Sequence, residues 1–409
     1  MRVYDLGIFT EQAMAVAKAV GECEYFTPWT EAFPDMPKSR IGDGLPGLKR
    51  IKHFFKDLDK VDWVYVTDTY CGDIVCDCRK TGIPVAGAGI PATDLESKRW
   101  ETRALQAEGN FPTQETHQIF GITNLRKWGQ DKKNYIIKID EYRGLAESFK
   151  WYDYKRVKNK LDRIAWKAGP YADKIPFIAE EMLKGIEPGW DGITFNGADL
   201  YPTLVGYEQK GSGYISRTYE SEKDVPLSLR TMTDILRPTF KANGTRMFYS
   251  IEGIIDKQGI PFMIDPTIRH AAPGTSALQT EIIENFAEVV AGLAFNVQID
   301  PKIRYKYGAA VCFDSEEANE NWLCLDIPKN LKDRCKLRMA VRVDGDYYAV
   351  PGFDSIVTVV GMSNSIKDAV QQVKDVRKEI YAMGLSDDMS GLDDIVKDIE
   401  EGKKFGVNF

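Results

Sequence analysis

Over the first 95 or so residues, strand-like and helix-like spacings of apolar positions alternate. RVYDLGIF reads as a strand, TEQAMAVAKAV repeats its apolar residues at helical intervals, and ECEYFT is again strand-like. LKRIKHFFKDL predicts a helix, DWVYVTD a strand, the segment around Cys71, Cys76 and Cys78 a helix, and IPVAGAG a strand. This βαβ rhythm predicts a small open parallel sheet, whose ligands would lie at the carboxyl ends of the strands near Gly7, Asp68 and Thr69. Those positions would hold a small substrate or simply cap helices. The loop after the first strand is not GxGxxG, so no dinucleotide is implied.

Further along, ATDLESKRWETRALQAEG predicts one helix with Asp94 as its cap, and NYIIKID a strand leading into the loop EYRGLAESF. DYKRVKNKLDRIA is helical in spacing, and FIAEEMLKGIE gives a strand ending in acids. After a helix over ALQTEIIENFAEVVAGLA the chain returns to strands, with a hairpin at Asp344-Gly345 and IVTVVGMS running into the helix SIKDAVQQVKDVRKEIYA. The tail from Leu385 carries an apolar stripe of Leu392, Ile395, Val396 and Ile399 among acids, the mark of an amphipathic helix.

The stretch SIEGIIDKQGIPFMIDPTIR concentrates the candidate chemistry. Both arms are rich in β-branched and aromatic residues, and Asp256-Lys257-Gln258-Gly259 supplies turn chemistry. A turn of two or four residues makes cross-strand partners sum to an odd number, so Glu252 would share a face with Asp265 and Thr267. Arg269 projects from the same face. Two carboxylates this close repel unless a cation lies between them, and oxygen ligation of this kind suits Mg²⁺ carrying nucleotide phosphates. The alternative is an exposed amphipathic hairpin with solvated acids.

Composition narrows the field. A length of 409 residues favours two or three domains, and 43% hydrophobic with 28% charged residues is ordinary for a globular protein. Lys and Arg number 54 against 61 Asp and Glu, and the net charge of -7 disfavours bulk binding to nucleic acid or an anionic membrane, although a local basic pocket stays open. No apolar run approaches the roughly 20 residues that span a bilayer, and MRVYDLGIF lacks signal-peptide order, so a cytoplasmic location is expected. Seven scattered cysteines match no zinc module and read as buried thiols, while His53, His117 and His270 stand too far apart in sequence to suggest histidine chemistry.

Lys98 in LESKRW, Lys138 in YIIKID, the acids of AEEMLKGIE, then Glu252, Asp265 and Arg269 occur in an order that resembles the ATP-grasp superfamily, specifically phosphoribosylamine-glycine ligase. The resemblance covers nearly the whole chain, with GIPVAGAGIPATDLESKRWETRALQAEGNFPT similar to the family's lysine-bearing segment and IVTVVGMSNSIKDAVQQVKDVRKEIYA similar to its C-terminal domain. It implies an α/β ATP-grasp fold: an N-terminal parallel α/β domain over 1–95, a two-lobed α+β ATP-binding region over 96–295 with a lobe at about 115–185, and a small α+β domain over 296–409. It also implies that Lys98 and Lys138 meet phosphates, that the backbone from Glu180 through Glu181 to Met182 meets adenine, and that Glu187 accepts from ribose hydroxyls. Glu252, Asp265 and Thr267 would hold Mg²⁺ or Mn²⁺, and Arg269 would grip the transferring phosphate. The bland counterparts are an edge-guarding lysine at 138, a helix-surface lysine at 98 and solvated acids at 181 and 187.

Two positions depart from the family pattern. Thr267 stands where an asparagine is usual, and the glycine-rich flap is reduced to Gly144 in YRGLAESF, where Arg143 would supply charge in place of backbone amides. The chain thus resembles a divergent branch, similar to proteins carried by bacteriophages and some bacteria. RMAVRVDGDYYAVPG lacks the family's histidine motif, so a substrate outside the purine pathway is expected. The implied activity is ATP-dependent joining of a small carboxylate and an amine by a monomer or homodimer. A kinase on the same fold and a silent nucleotide-binding protein are the alternatives.

Overall fold

A computed structural model of the chain describes residues 1–28, 41–140, 148–209 and 212–409. The expected N-terminal sheet is present, with all neighbours parallel in the order Leu48–Arg50, Cys23–Phe26, Arg2–Tyr4, Val64–Val66, Val85–Ala86. One element differs. LKRIKHFFKDL is not a helix: Leu48–Arg50 extends as the sheet's edge strand, because its register against Cys23–Tyr25 satisfies backbone groups that a short isolated helix would leave to water.

A second sheet of four antiparallel strands, in the order Thr116–Phe120, Pro176–Glu181, Tyr135–Ile139, Ser148–Trp151, forms a small lobe. One face of this lobe packs Tyr135, Ile137, Phe177 and Ala179 against Val157 and Leu161 of the helix Tyr154–Ala168, which Asp153 caps by accepting from Arg156 N at 3.0 Å. Strand alternation turns Lys138 and Glu180 to the other face.

The largest sheet among the described residues runs from Gly185–Ile186 through Arg246–Asp256, Pro188–Phe195, Thr203–Gln209 and Gly213–Tyr219, then continues through Tyr307–Asp314, Ser355–Ser363 and Cys335–Leu337. It therefore crosses residue 295, where the sequence suggested a domain boundary. The Asp344-Gly345 hairpin forms as expected, both turn residues having positive φ. The tail helix Ser390–Gly402 buries Leu392, Ile395 and Ile399, with Val396 at its exposed margin.

Two expected helices are each broken in two. Gly274–Ile282 and Phe286–Phe295 are separated at Ile283, which leaves helical geometry to make a bridge with Ile303. Ile90–Ser97 and Arg99–Glu108 are separated at Lys98, and Asp94 lies inside the first helix, where it accepts from Lys98, rather than capping it. The break matters because it resets the direction of the second helix toward the small lobe.

His270 is wholly buried beside Phe9, Phe248 and Phe286. Its Nε2 meets the Tyr65 hydroxyl and its Nδ1 lies 2.9 Å from Gln279 Oε1, an arrangement that suits the neutral ring. Burial holds this imidazole down at about 4. Below the ordinary value of 6.5 the unfolded chain takes up a proton that the folded one refuses, so this contribution is complete above 6.5 and is lost as the pH falls toward 4. Asp5 and Asp191, both pushed up to about 6 chiefly by burial, act in the opposite sense between 3.8 and 6. The His270→Gln variant should therefore lose a stability slope of up to ~1.4 kcal/mol per pH unit relative to the parent. Denaturant midpoints for both proteins across this range check it.

Candidate active site

Glu252 and Asp265 do face each other across the hairpin, but not for the reason the turn suggested. The turn has three residues, so its cross-strand partners sum to an even number: Gly253, Ile254 and Ile255 pair with Met263, Phe262 and Pro261, and Asp256 N donates to Ile260 O at 3.0 Å. That register alone would set Glu252 opposite Ile264. A β-bulge between Glu252 and Gly253 absorbs Ile264 and shifts the ladder by one, giving Glu252 opposite Asp265 and Ser250 opposite Thr267. The extruded residue has a use, because the Ile264 carbonyl accepts from Arg103 and, at 3.5 Å, from Lys138.

Lys138 is buried at 5% exposure, and its ammonium lies 2.9 and 3.0 Å from the two Asp265 oxygens and 3.0 Å from Glu180 Oε2. Its contact with Asp265 bridges the small lobe to the hairpin of the large sheet. Glu180 is also held by Arg103, Nε to Oε1 at 2.5 Å. Burial alone would raise the Glu180 carboxyl, but the charges of Arg103 and Lys138 hold it below its ordinary value. Arg99 completes the group, its Nε 3.8 Å from Asp265 and its guanidinium donating to Ile139 O at 3.0 Å.

Arg269 reaches toward the N-terminal sheet. It pairs with Glu96 at 3.0 Å, and the other Glu96 oxygen accepts from Thr69 Oγ1 at 2.6 Å and from Ile268 N at 2.8 Å. The loop after Val64–Val66 is thereby tied to the end of the hairpin. Asp68 caps the turn that follows by accepting from Tyr70 N at 3.1 Å.

Behind Glu252 lies a cavity of about 20 Å³ lined by Glu187, Asp191, Glu208, Glu252, Tyr214, Ser250 and Thr275. Asp191 is pushed up to about 6 by burial, opposed by hydrogen bonds from Tyr214, Ser250 and Thr275 and reinforced by the charge of Glu252. Glu187 thus stands beside Glu252, while its neighbours have other roles. The Glu180 side chain is committed to ion pairs. The amides of Glu181 and Met182 donate to Glu115 O at 2.9 Å and Asn134 O at 2.8 Å. In this structure those two N–H groups are bonded within the small lobe.

The structure therefore brings together Lys138, Glu180, Asp265, Glu252 and, at the hairpin's end, Thr267 and Arg269. Lys98 is separate: at 40% side-chain exposure it pairs with Asp94 at 3.1 Å and Glu101 at 3.8 Å. Arg143 lies outside the described residues. Arg99, Arg103 and Glu96 were not singled out from the sequence. Arg99 and Arg103 lie one turn apart on the helix that starts after the break at Lys98, a spacing that names none of their distant partners.

Two carboxylates and a hydroxyl on one hairpin face fit a Mg²⁺ that brings its own phosphate and water ligands. Among the described residues no group of three carboxylate, histidine or cysteine side chains forms a self-sufficient metal cage.

This chain has the ATP-grasp fold. It superposes on the phosphoribosylamine-glycine ligase of Thermotoga maritima with a TM-score of 0.70 at 15% identity, over 94% of this chain and 98% of that one. Similar agreement is found with the biotin carboxylase domain of Hydrogenobacter thermophilus 2-oxoglutarate carboxylase, solved with MgADP and bicarbonate (TM-score 0.69, 11% identity, 99% and 98% covered). An L-amino acid ligase from Bacillus licheniformis also matches (TM-score 0.62, 14% identity, 93% and 98% covered). No family model and no curated protein matches the sequence.

Proposed function

We propose that the protein is an ATP-dependent carboxylate-amine ligase. ATP phosphorylates a small carboxylate, an amine displaces phosphate from the acyl phosphate, and the products are an amide, ADP and phosphate. The observation that carries this reading is the cluster of Lys138, Asp265 and Glu252 where the small lobe meets the hairpin of the large sheet, within a fold shared with two ligases and with an MgADP-bound biotin carboxylase domain.

Each residue has a task that its geometry permits. Lys138 supplies a rigidly held charge to the phosphates, and Glu252 and Asp265, with Thr267, would hold Mg²⁺, which neutralises phosphate charge during transfer. Arg269 offers a planar fork to the transferring phosphoryl group or the carboxylate, with Glu96 fixing its orientation. Thr69 sits on the opposite wall, bonded to that same Glu96, where a substrate carboxylate would enter. No nucleophilic side chain is needed, because positioning and electrostatics suffice. Glu187 is assigned to the nucleotide side of Glu252, and Lys98 to a secondary role at the helix junction.

The reading is tested by screening pairs of small carboxylates and amines for ADP release, with products identified by mass spectrometry. An amide with free phosphate is expected. A stable phosphate ester without free phosphate would mean a kinase, and ADP release with no pair at all would contradict both. The glycine and phosphoribosylamine pair should be a poor substrate, since the corresponding sequence signatures are absent.

A further inference from the structure

The net charge of -7 conceals a strong asymmetry. Residues 116–181, the small lobe, contain fourteen Lys and Arg against nine Asp and Glu, so the rest of the chain is more acidic than the total. The basic excess is concentrated on the helix Tyr154–Ala168, which has six Lys and Arg and one Asp. Its buried face, Val157 and Leu161, packs on the side of the sheet opposite Lys138 and Glu180. Its outer face is therefore remote from the nucleotide cleft.

Along that outer face Lys155, Asn159, Arg163 and Trp166 form one exposed stripe at spacings of four, four and three, about 6 Å of rise per step for the first two. Trp166 is 82% exposed, and Tyr171 in the turn that follows is 68% exposed. Arg156 is neutralised by Asp153 and the single acid, Asp162, by Arg126. Lys155, Lys158, Arg163 and Lys167 have no carboxylate partner among the described residues. Lys160 lies over the Phe149 ring at 4.7 Å and Lys174 over Tyr171 at 5.7 Å, which leaves the indole of Trp166 open to solvent.

We infer that this face binds single-stranded nucleic acid. A tryptophan left almost fully in water amid lysines and arginines without a carboxylate partner among the described residues is the arrangement expected where a partner supplies both anions and flat rings. A single strand does so at every nucleotide: phosphates meet the cations and bases stack on Trp166 and Tyr171. The surface is the outside of a helix, which a flexible strand can follow. The acidic remainder of the chain confines binding to this lobe. This inference does not depend on the proposed reaction.

The test is fluorescence anisotropy of a labelled oligothymidylate with the full chain at low salt, followed by salt titration. Expected are saturable binding that weakens steeply with salt, quenching of tryptophan emission, about tenfold or greater loss in Trp166→Ala, and near-complete loss in Lys155→Glu/Arg163→Glu. Trp166→Ala should leave ADP release unaltered, and Lys138→Met should leave oligonucleotide binding intact. Absence of binding would overturn the inference, as would undiminished binding in Trp166→Ala. Equal competition by polyglutamate would reduce the face to a site for acidic protein, and loss of binding in Lys138→Met would move it to the nucleotide cleft. Either result also overturns it.

Discussion

Lys138→Met should weaken MgATP binding by about 30- to 150-fold, corresponding to the ~2–3 kcal/mol of a hydrogen bond to a charged group at the upper end of its range. Lys138 is buried on a strand between Glu180 and Asp265, so little side-chain entropy remains to be lost when it meets a phosphate. Lys98→Ala should change affinity only a few-fold, because that ammonium is exposed and already shared between Asp94 and Glu101. Methionine retains the stem of Lys138, and Arg103 still compensates Glu180, so the variant should fold with a reduced melting temperature. Calorimetric titration of the parent and both variants checks the order. Equal affinities would remove Lys138 from the nucleotide site.

Asp265→Asn should have two opposed effects. In the proposed site Asp265 would hold Mg²⁺ opposite Glu252, and in the structure it neutralises Lys138 through two contacts near 3 Å. These tasks compete. The amide cannot supply the anionic ligand, so Mg²⁺-dependent turnover should fall by about a thousandfold or more, and Glu252→Gln with Asp265→Asn should abolish it. The same substitution releases Lys138 from one of its two carboxylates, so ATP binding in the presence of a chelator should tighten by about tenfold. A residue that only stabilised the cleft would weaken both. Turnover and chelator-condition affinity measured on one preparation distinguish the cases.

Residues whose roles follow from local chemistry were legible in the sequence. Alternating strands and helices gave the N-terminal parallel sheet, and Asp344-Gly345 gave its hairpin. Glu252 and Asp265 were found as facing acids on one predicted hairpin, and Lys138 through its place in the family resemblance. Features that depend on tertiary pairing were not legible. LKRIKHFFKDL has helical spacing, yet its first three residues become an edge strand because a neighbouring strand offers them a ladder. The bulge at Ile264 cannot be read from either arm of the hairpin, and the face shared by Glu252 and Asp265 was inferred from a turn that in fact gives the other register. Arg103 and Glu96 act through partners 77 and 173 residues away, a separation at which spacing carries no signal. The basic face of the small lobe was hidden by averaging charge over the whole chain.

The most direct measurement of the proposed chemistry uses the carboxylate and amine pair that supports ADP release, with the carboxylate labelled in both oxygens by ¹⁸O. If the carboxylate is activated by phosphorylation, one labelled oxygen must leave with the released phosphate and the other must remain in the amide. One ¹⁸O in phosphate for each amide formed is the result predicted. Amide formed with unlabelled phosphate would contradict an acyl-phosphate route.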